Sequence, residues 1–364
     1  MSNFRISVYA IAKNEALFAR RWAENMSEAD NITVLDTGST DNTVEILSEY
    51  PKIKVFCENI SPWRFDTARN KSLQLVPEDT DYCVCTDLDE LFTAGWRKQL
   101  EKALAQKPDK VSYRYVWSHD ENGKDKTVFN IEKIHRRQGF IWTHPVHEVL
   151  SFTENTVPQA TFAEGLCLHH YPDDAKSRSQ YLPLLELSVK ENPEDDRNMH
   201  YLGREYMFYG RYNDAAETLK KHLSLKSAVW KDERSASMRY IANCLEHLDD
   251  HENALLYLMK SCAEAPYLRE PWIAAADHLY RRKNWQGVIF FTQKALEITE
   301  KKNTYITDNS CYEERPYDLL SIACYYVGDI KNAVKYAEKA LEFNPTDERI
   351  ISNLNFFLAE NKNK

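Results

Sequence analysis

Three acidic side chains at the end of one apolar segment are the residues best suited to chemistry. Between Asp81 and Glu90 the chain reads DYCVCTDLDE, and the alternation over residues 82–86 predicts a buried strand near the middle of a sheet. Asp87, Asp89 and Glu90 follow at its carboxyl end, where open α/β sheets bind their ligands. Carboxylates grouped in this way need a balancing cation, and their oxygens favour Mg²⁺ or Mn²⁺, which commonly carry phosphates. The alternative is a solvated acidic turn that opens the next helix.

The elements that must position these carboxylates lie upstream and repeat one plan. Residues 8–16 (VYAIAKNEA) and 32–47 (ITVLDTGSTDNTVEIL) each read as a strand, a polar turn and the start of a helix. In the second segment the strand ends at Asp36, and Asn42 with Glu45 predicts a capping box for the helix. The strand ends of both segments should therefore face the same crevice as the acidic turn.

A third helix is predicted over Trp63–Val76, and it carries an arginine among residues spaced for burial. Arg69 on a buried helical face needs an anionic partner, either a bound diphosphate or a strand-end aspartate. Asn14 and Glu15 follow the first strand and are expected to line the same crevice.

Four blocks stand in order along the first ninety residues: the KNE turn, the DTGSTDNT loop, the FDTARN helix and the DLDE turn. Together they resemble the catalytic domains of family 2 glycosyltransferases, in the branch fused to tetratricopeptide repeats. The resemblance implies an α/β GT-A fold, which is a Rossmann-like nucleotide-binding sandwich. It also implies an inverting transferase that uses a nucleotide-sugar, most often a UDP-sugar, with Mn²⁺ or Mg²⁺.

The resemblance also implies roles for individual donor-site residues. Asp36 corresponds to the aspartate that accepts from an N–H of the nucleotide base, and Asp89 to the carboxylate that ligates the metal. Asp87 is expected nearer the ribose or the donor sugar, with Arg69 and Asn14 in the same donor site.

The acid–base residues are expected between Val111 and Tyr171. By the same resemblance, Glu148 in the segment GFIWTHPVHEVL is the general base, and His170 in the HHY segment completes the metal shell, with His169 as the alternative ligand. A glutamate can take the proton of an acceptor hydroxyl on the ring face opposite the leaving diphosphate. The competing interpretation of Glu148 is an ion pair with Arg136 or Arg137.

The second half of the chain is helical and repetitive. Residues 202–219 (LGREYMFYGRYNDAAETL) and 324–345 (CYYVGDIKNAVKYAEKALEFNP) carry the small, aromatic, glycine, alanine and proline positions of tetratricopeptide units. Four units are predicted, some irregular, with a capping helix from about Glu348. Such an all-α solenoid offers a concave face for a partner. Tyr206 and Tyr280 are candidates for that face, although aromatic residues at such positions usually pack in the seams.

These patterns predict a two-domain organisation with GT-A residues 1–175, a connecting helix or linker at 176–194, and repeats at 195–364. The formal charge of −9 gives no electrostatic reason to expect nucleic acid. The first strand begins near Phe4, which argues against a signal peptide, and no apolar run is long enough for a membrane span. Eight scattered cysteines indicate a reducing, cytoplasmic location.

Two classes of function remain open at this stage. The first is a metal-dependent glycosyltransferase whose repeats present an acceptor peptide, protein or glycan, with a nucleobase in DNA as a less favoured acceptor. The second is a scaffold or binding protein with an inactive nucleotide fold, in which the repeats form a structural or homodimerising module.

Overall fold

A computed structural model of the protein describes residues 4–173, 176 and 179–362. The chain forms two compact units that divide after Ser188. This division lies within helix α5 (Tyr181–Glu191), in the stretch 176–194 for which a connecting helix or linker is predicted. The predicted domain boundary at residue 175 falls outside the described residues.

The first unit is built on a mixed sheet of eight strands, with a separate two-stranded hairpin. The strands are β1 Ile6–Ala12, β2 Asn31–Asp36, β3 Ile53–Cys57, β4 Tyr82–Cys85, β5 Glu90–Phe92, β6 Lys110–His119, β7 Asp125–Arg136, β8 Phe140–Thr143, β9 Val149–Phe152 and β10 Ala160–His170. The order across the sheet is β3-β2-β1-β4-β7-β6-β10-β5, and β8 pairs with β9 in the hairpin.

Strands β1 to β4 are parallel to one another and form one half of the sheet in the order β3-β2-β1-β4. β7 then runs antiparallel to both β4 and β6, and β10 runs parallel to β6 and antiparallel to β5. Because β1, β2 and β4 are parallel, the polar residues that follow them meet at one edge of the sheet.

The helices of this unit cover both faces of the sheet. They are α1 Ala16–Met26, α2 Thr43–Ser48, α3 Phe65–Gln74 and α4 Trp96–Leu104. Trp22 of α1 and Leu100 of α4 pack in one core with Val84 of β4, whereas Leu73 of α3 packs on the opposite face with Cys83 and Trp142. Strand β4 is therefore buried on both sides, which fits its continuous apolar run.

One local prediction was wrong. Asn42 is the residue before α2, but its side chain makes no capping hydrogen bond, and its φ and ψ of −81° and 19° are not extended. The preceding Asp41 takes the role instead, since its Oδ1 accepts from the backbone N–H of Thr43 at 3.0 Å. A turn in which the Asp41 side chain accepts from the backbone N–H two residues further on therefore replaces the capping box.

The second unit consists of four successive helix pairs and a final helix, as the sequence predicted. They are α6 Asp196–Phe208 with α7 Tyr212–Ser224, α8 Lys231–His247 with α9 His251–Glu264, α10 Arg269–Arg281 with α11 Trp285–Leu296, α12 Arg315–Tyr326 with α13 Ile330–Phe343, and α14 Glu348–Lys362. The irregular stretch before α12 contains a short 3₁₀ helix, Asn309–Tyr312.

Small residues bring the helices of each repeat together. A Cβ added to Gly203 in α6 would lie 2.5 Å from Cγ of Leu219 in α7, so only glycine permits this approach. Fully buried alanines, including Ala254 in α9 and Ala337 in α13, lie in the apolar clusters of later repeats. These contacts form the seams expected of a tetratricopeptide solenoid. Within the described parts of the chain, no helix combines the length and the apolar character needed to cross a bilayer.

Candidate active site

A buried arginine organises the carboxyl ends of the central strands. Arg69 on α3 is only 5% exposed, and its Nη2 donates to Oδ1 of Asp87 at 2.9 Å. Its Nε donates to Oε1 of Glu148, and its Nη1 to Sγ of Cys85 at 3.3 Å. The guanidinium group also lies 5.3 Å from the ring of Trp142. The predicted need for a strand-end aspartate beside Arg69 is therefore met, and the same cation holds Glu148.

Glu148 reaches this position on the loop between β8 and β9. Asn70 of α3 anchors that hairpin, because its amide donates to the Trp142 carbonyl and accepts from the Trp142 N–H, both at 2.8 Å. A further hydrogen bond also holds the loop, because the Phe65 N–H donates to the Pro145 carbonyl at 3.0 Å. Glu148 pairs with neither Arg136 nor Arg137, so the competing ion-pair interpretation was wrong.

A lysine that the sequence analysis did not single out completes the network. Lys133 Nζ on β7 lies 2.9 Å from Oε1 of Glu90 and 3.3 Å from Oδ2 of Asp87. Tyr115 of β6 donates to the same Oε1 at 2.7 Å, and Oε2 of Glu90 accepts from the Asp87 N–H at 2.9 Å. Glu90 is 1% exposed and starts β5, so the acidic segment is no solvated turn, and the next helix begins only at Trp96.

The charges of this network set the ionisation of its members. Burial favours the neutral form of Asp87, but Arg69 and Lys133 outweigh it and hold the pKa of this carboxyl well below its usual range. Burial also dominates at Glu90, where the nearby charges of Asp87 and Asp89 help to raise the pKa despite Lys133. The pKa of Lys133 is raised, because the two carboxylates overcome its own burial.

Asp89 lies outside this network and faces a histidine. Its Oδ2 is 3.3 Å from Nε2 of His170, and the backbone carbonyl of Asp89 accepts from the Tyr171 N–H at 2.8 Å. His170 Nδ1 donates to the Trp117 carbonyl at 3.0 Å, and the two rings stack at 4.4 Å. A histidine whose second nitrogen is bound to a carbonyl has a fixed orientation, as metal-ligating histidines usually do.

Asp36 and Asn14 shape the loop after β2. Asp36 is 2% exposed, and its Oδ1 accepts from the N–H groups of Gly38 and Ser39 at 3.0 and 2.9 Å. Asn14 Oδ1 accepts from the Thr40 N–H at 2.7 Å, which ties the loop to the end of β1. Gly38 has φ of 106°, and a Cβ there would lie 2.5 Å from Asn59 Oδ1, so the turn requires glycine.

Glu15 lies beside the acidic segment with an unusual ionisation. Burial raises its pKa to about 7, although Lys176 opposes the shift, and Asp89 and Asp87 raise it further. Its Oε2 is buried without a hydrogen bond within the part of the chain that the structure describes. The pKa of Glu15 therefore lies closer to neutral pH than that of an ordinary glutamate.

His169 points away from this centre. Its Nδ1 lies 3.1 Å from Nε2 of His119 and 3.9 Å from Oδ1 of Asp125. Strand alternation separates it from His170, because neighbouring residues of β10 face opposite sides of the sheet. Of the two adjacent histidines, only His170 contacts Asp89.

Comparison with known proteins agrees with the first unit's architecture. Residues 7–153 match the model of the family described as Glycosyl transferase family 2. The chain therefore carries a glycosyltransferase domain of family 2. The matched region contains Asp36, Arg69, Asp87, Asp89 and Glu148, whereas His170 lies beyond it.

The chain is also similar to solved structures of repeat proteins. A structure of MamA is 20% identical, with 49% of this chain and 99% of that one covered at a TM-score of 0.38. YrrB, described as a TPR protein with an unusual peptide-binding site, is 13% identical over 50% and 84% at 0.40. TTC0263, described as a thermophilic TPR protein in Thermus thermophilus, is 18% identical over 50% and 90% at 0.35. At these TM-scores the likeness is weak, and the repeat architecture rests on the helix pairs themselves.

Proposed function

We propose that the protein is an inverting glycosyltransferase that moves a sugar from a UDP-sugar to an acceptor hydroxyl or another nucleophile, and that Mn²⁺ or Mg²⁺ binds at Asp89 and His170. The observation that carries this proposal is the pair formed by these two side chains. Their facing atoms are 3.3 Å apart, a separation that two ligands of one ion can have, and the Trp117 carbonyl holds the imidazole in place.

The charge balance of the site supports a cation at the same position. Arg69 and Lys133 form ion pairs with Asp87, Glu90 and Glu148, which still leaves two cations for three carboxylates, and Asp89 has only His170 as an ion-pair partner among the described residues. A divalent ion there, when bound with the donor, would offset the charge that develops on the leaving diphosphate.

The base role falls to Glu148 in this proposal. Its Oε1 is held by Arg69, and its Oε2 accepts no hydrogen bond within the described residues, so this oxygen is free to take a proton. The acceptor oxygen would form a bond to the anomeric carbon while the bond to the diphosphate breaks. The acceptor proton would pass to Glu148.

Donor recognition follows from the strand ends. Asp36 retains acceptor lone pairs beyond its loop contacts and can bind an N–H of the base. Asp87, fixed by two cations, is the candidate for the ribose or sugar hydroxyls. Asn14 is bound to the Asp36 loop, which makes it a positioning residue for the same end of the donor.

The repeats are the candidate acceptor module. Their stacked helices offer a surface on which a peptide, a protein or a glycan can lie. In this proposal the first unit binds the donor and the repeats bind the acceptor. All eight cysteines are free thiols, which supports a reducing, cytoplasmic setting.

The test starts with donor binding by the full chain. Thermal shift with UDP and Mn²⁺ should raise the melting temperature, and EDTA should remove that rise. Asp89→Asn should lose the metal-dependent part, while Asp79→Asn, a surface aspartate paired with Arg5, should keep it. A donor screen that follows nucleoside diphosphate release then identifies the sugar.

The competing class predicts a different set of results. A scaffold with an inactive fold would bind no nucleotide under any of these conditions. Full transfer activity in EDTA would refute the metal assignment, and retention of configuration in the product, read from anomeric proton couplings, would remove Glu148 from its role.

A further inference from the structure

Three ligand-type side chains converge on the side of β10 opposite to His170. They are His119 at the end of β6, Asp125 at the start of β7 and His169 near the end of β10. Candidate ligand atoms of the three residues lie within 4.8 Å of one another. None of these residues has a part in the transfer reaction proposed above.

The distances between the three atoms fit one metal ion. His119 Nε2 and His169 Nδ1 are 3.1 Å apart, and each is 3.9 Å from Oδ1 of Asp125. The point equidistant from the three atoms lies about 2.1 Å from each, within the range of zinc–imidazole and zinc–carboxylate bonds.

The surroundings already orient the ligands. His169 Nε2 lies 3.5 Å from both Thr93 Oγ1 and Cys167 Sγ, and donation to them leaves Nδ1 unprotonated toward the cluster. The ring of His119 stacks on Tyr171 at 5.0 Å with an interplanar angle of 5°. Arg114 binds the other carboxylate oxygen of Asp125. Such outer contacts fix imidazole and carboxylate ligands before an ion arrives.

The cluster is accessible to an ion from solvent. The side chains of His119, His169 and Asp125 are 15%, 22% and 29% exposed. His119 also lines an open cavity of about 470 Å³ together with Arg21 and His170. Three protein ligands leave at least one coordination position for water or another small ligand.

We infer that His119, Asp125 and His169 bind a zinc-type divalent ion that ties the β6–β7 hairpin to β10. Two imidazoles and one carboxylate suit Zn²⁺ better than Mg²⁺, which prefers oxygen ligands. Binding displaces the proton by which His119 now donates to His169, and it moves this proton to Nδ1 of His119 or to solvent. Its ligands are distinct from Asp89 and His170, although His119 and His170 line the same cavity, and the inference does not depend on the transferase proposal.

A second buried group of this kind lies in the repeats and serves as a contrast. His200, His222 and Glu233 also have ligand atoms within 4.8 Å of one another. All three of these residues are buried, so this group lacks the solvent access of the first cluster, and burial, with Arg204 adding to it, lowers the pKa of His200. Glu233 is also bound by His222 and by the hydroxyl group of Tyr305.

The test is a zinc titration of the metal-free full chain without nucleotide, by calorimetry. The wild type should bind one equivalent more than the double variant His119→Ala/His169→Ala. Asp125→Asn keeps the side-chain volume and should weaken the affinity for this zinc ion by at least about 10-fold. Loss of a direct ligand should cost at least as much as loss of an outer contact to a ligand. His170→Ala is the matched control and should leave the equivalent unchanged.

X-ray absorption of the bound zinc gives a readout that does not depend on folding of the variants. The wild type and His170→Ala should both show two imidazoles around the metal, and the double variant should show none from this site. Equal zinc stoichiometry and affinity in the wild type and the double variant would overturn the inference. So would a wild-type spectrum with a single imidazole, or one whose two imidazoles are lost in His170→Ala.

Discussion

Replacing Lys133 by methionine tests whether the buried charge network holds the acidic segment in place. Methionine keeps the length of the side chain but removes its cation. Lys133 Nζ is 2.9 Å from Glu90 and 3.3 Å from Asp87, and Glu90 is 1% exposed. Since Asp87 keeps Arg69 as a partner, the main effect is an uncompensated carboxylate at Glu90.

The size of the effect follows from these distances. At an effective dielectric constant of about 20, a charge pair at 2.9 Å is worth roughly 6 kcal/mol before desolvation of the lysine is subtracted. Removal of one partner from a buried pair typically costs about 3–5 kcal/mol, which we expect at pH 8. This corresponds to a fall of roughly two to nearly four powers of ten in the protection of nearby amides.

The loss should depend on pH in a defined direction. Burial already holds the folded-state pKa of Glu90 above its unfolded value, and loss of Lys133 raises it further. For such a carboxyl, stability falls as pH rises from the unfolded pKa to the folded pKa, and the loss is absent below the unfolded value. The variant should therefore approach the wild type as the pH is lowered.

Hydrogen exchange with mass spectrometry on peptides covering β4 and β5 is the appropriate assay, because it follows the first unit separately from the repeats. The double variant Lys133→Met/Glu90→Gln should regain most of the protection, since no buried charge remains unpaired. Lys124→Met, at an exposed turn, is the control. A loss below about 1 kcal/mol at pH 8, or no recovery in the double variant, would refute the reasoning.

Three further outcomes are expected. Glu148→Gln should lower kcat by about 10²–10⁴-fold with donor binding retained, and an unchanged kcat would exclude a base role. The variant Glu15→Gln should gain stability relative to the wild type as the pH rises from the pKa of an unfolded glutamate to about 7. The reason is that the raised pKa of Glu15 lowers the stability of the wild type over that pH range. A difference in melting temperature that does not change with pH would contradict this expectation. Tyr206→Ala or Tyr280→Ala should lower the rate of transfer to the true acceptor while donor hydrolysis continues. Tyr209→Ala, at an exposed tyrosine, is the control. Equal losses of the transfer and hydrolysis rates would mean that the repeats only support the catalytic unit.

The sequence predicted most of what lies at the strand ends. Strand, turn and helix signals are local, so Asp36 was correctly placed at the end of β2 and the acidic segment directly after β4. The burial of Arg69 could also be predicted, because helical spacing shows which face packs and a buried cation needs a carboxylate.

Contacts made across the sheet were not predictable from local patterns. Lys133 reaches Glu90 only because β7 inserts beside β4 in antiparallel register, and strand alternation in a single sequence does not reveal that neighbour. For the same reason, the competing interpretation of Glu148 as an ion-pair residue named Arg136 and Arg137, the arginines nearest in sequence, whereas its partner Arg69 comes from a distant helix. The cluster around His119 likewise depends on the pairing of three strands.

The exposed thiol of Cys57 makes the protein convenient for spectroscopy. Seven of the eight cysteines are buried, and burial raises the pKa of Cys83 and Cys85 to about 12 and about 11, so they react slowly with electrophiles. Cys57 ends β3, and its Cα pairs in register with that of Asp36 on the neighbouring strand. A maleimide dye would therefore attach at one position beside the proposed nucleotide-base contact, and the natural sequence would report donor binding by fluorescence without an engineered label.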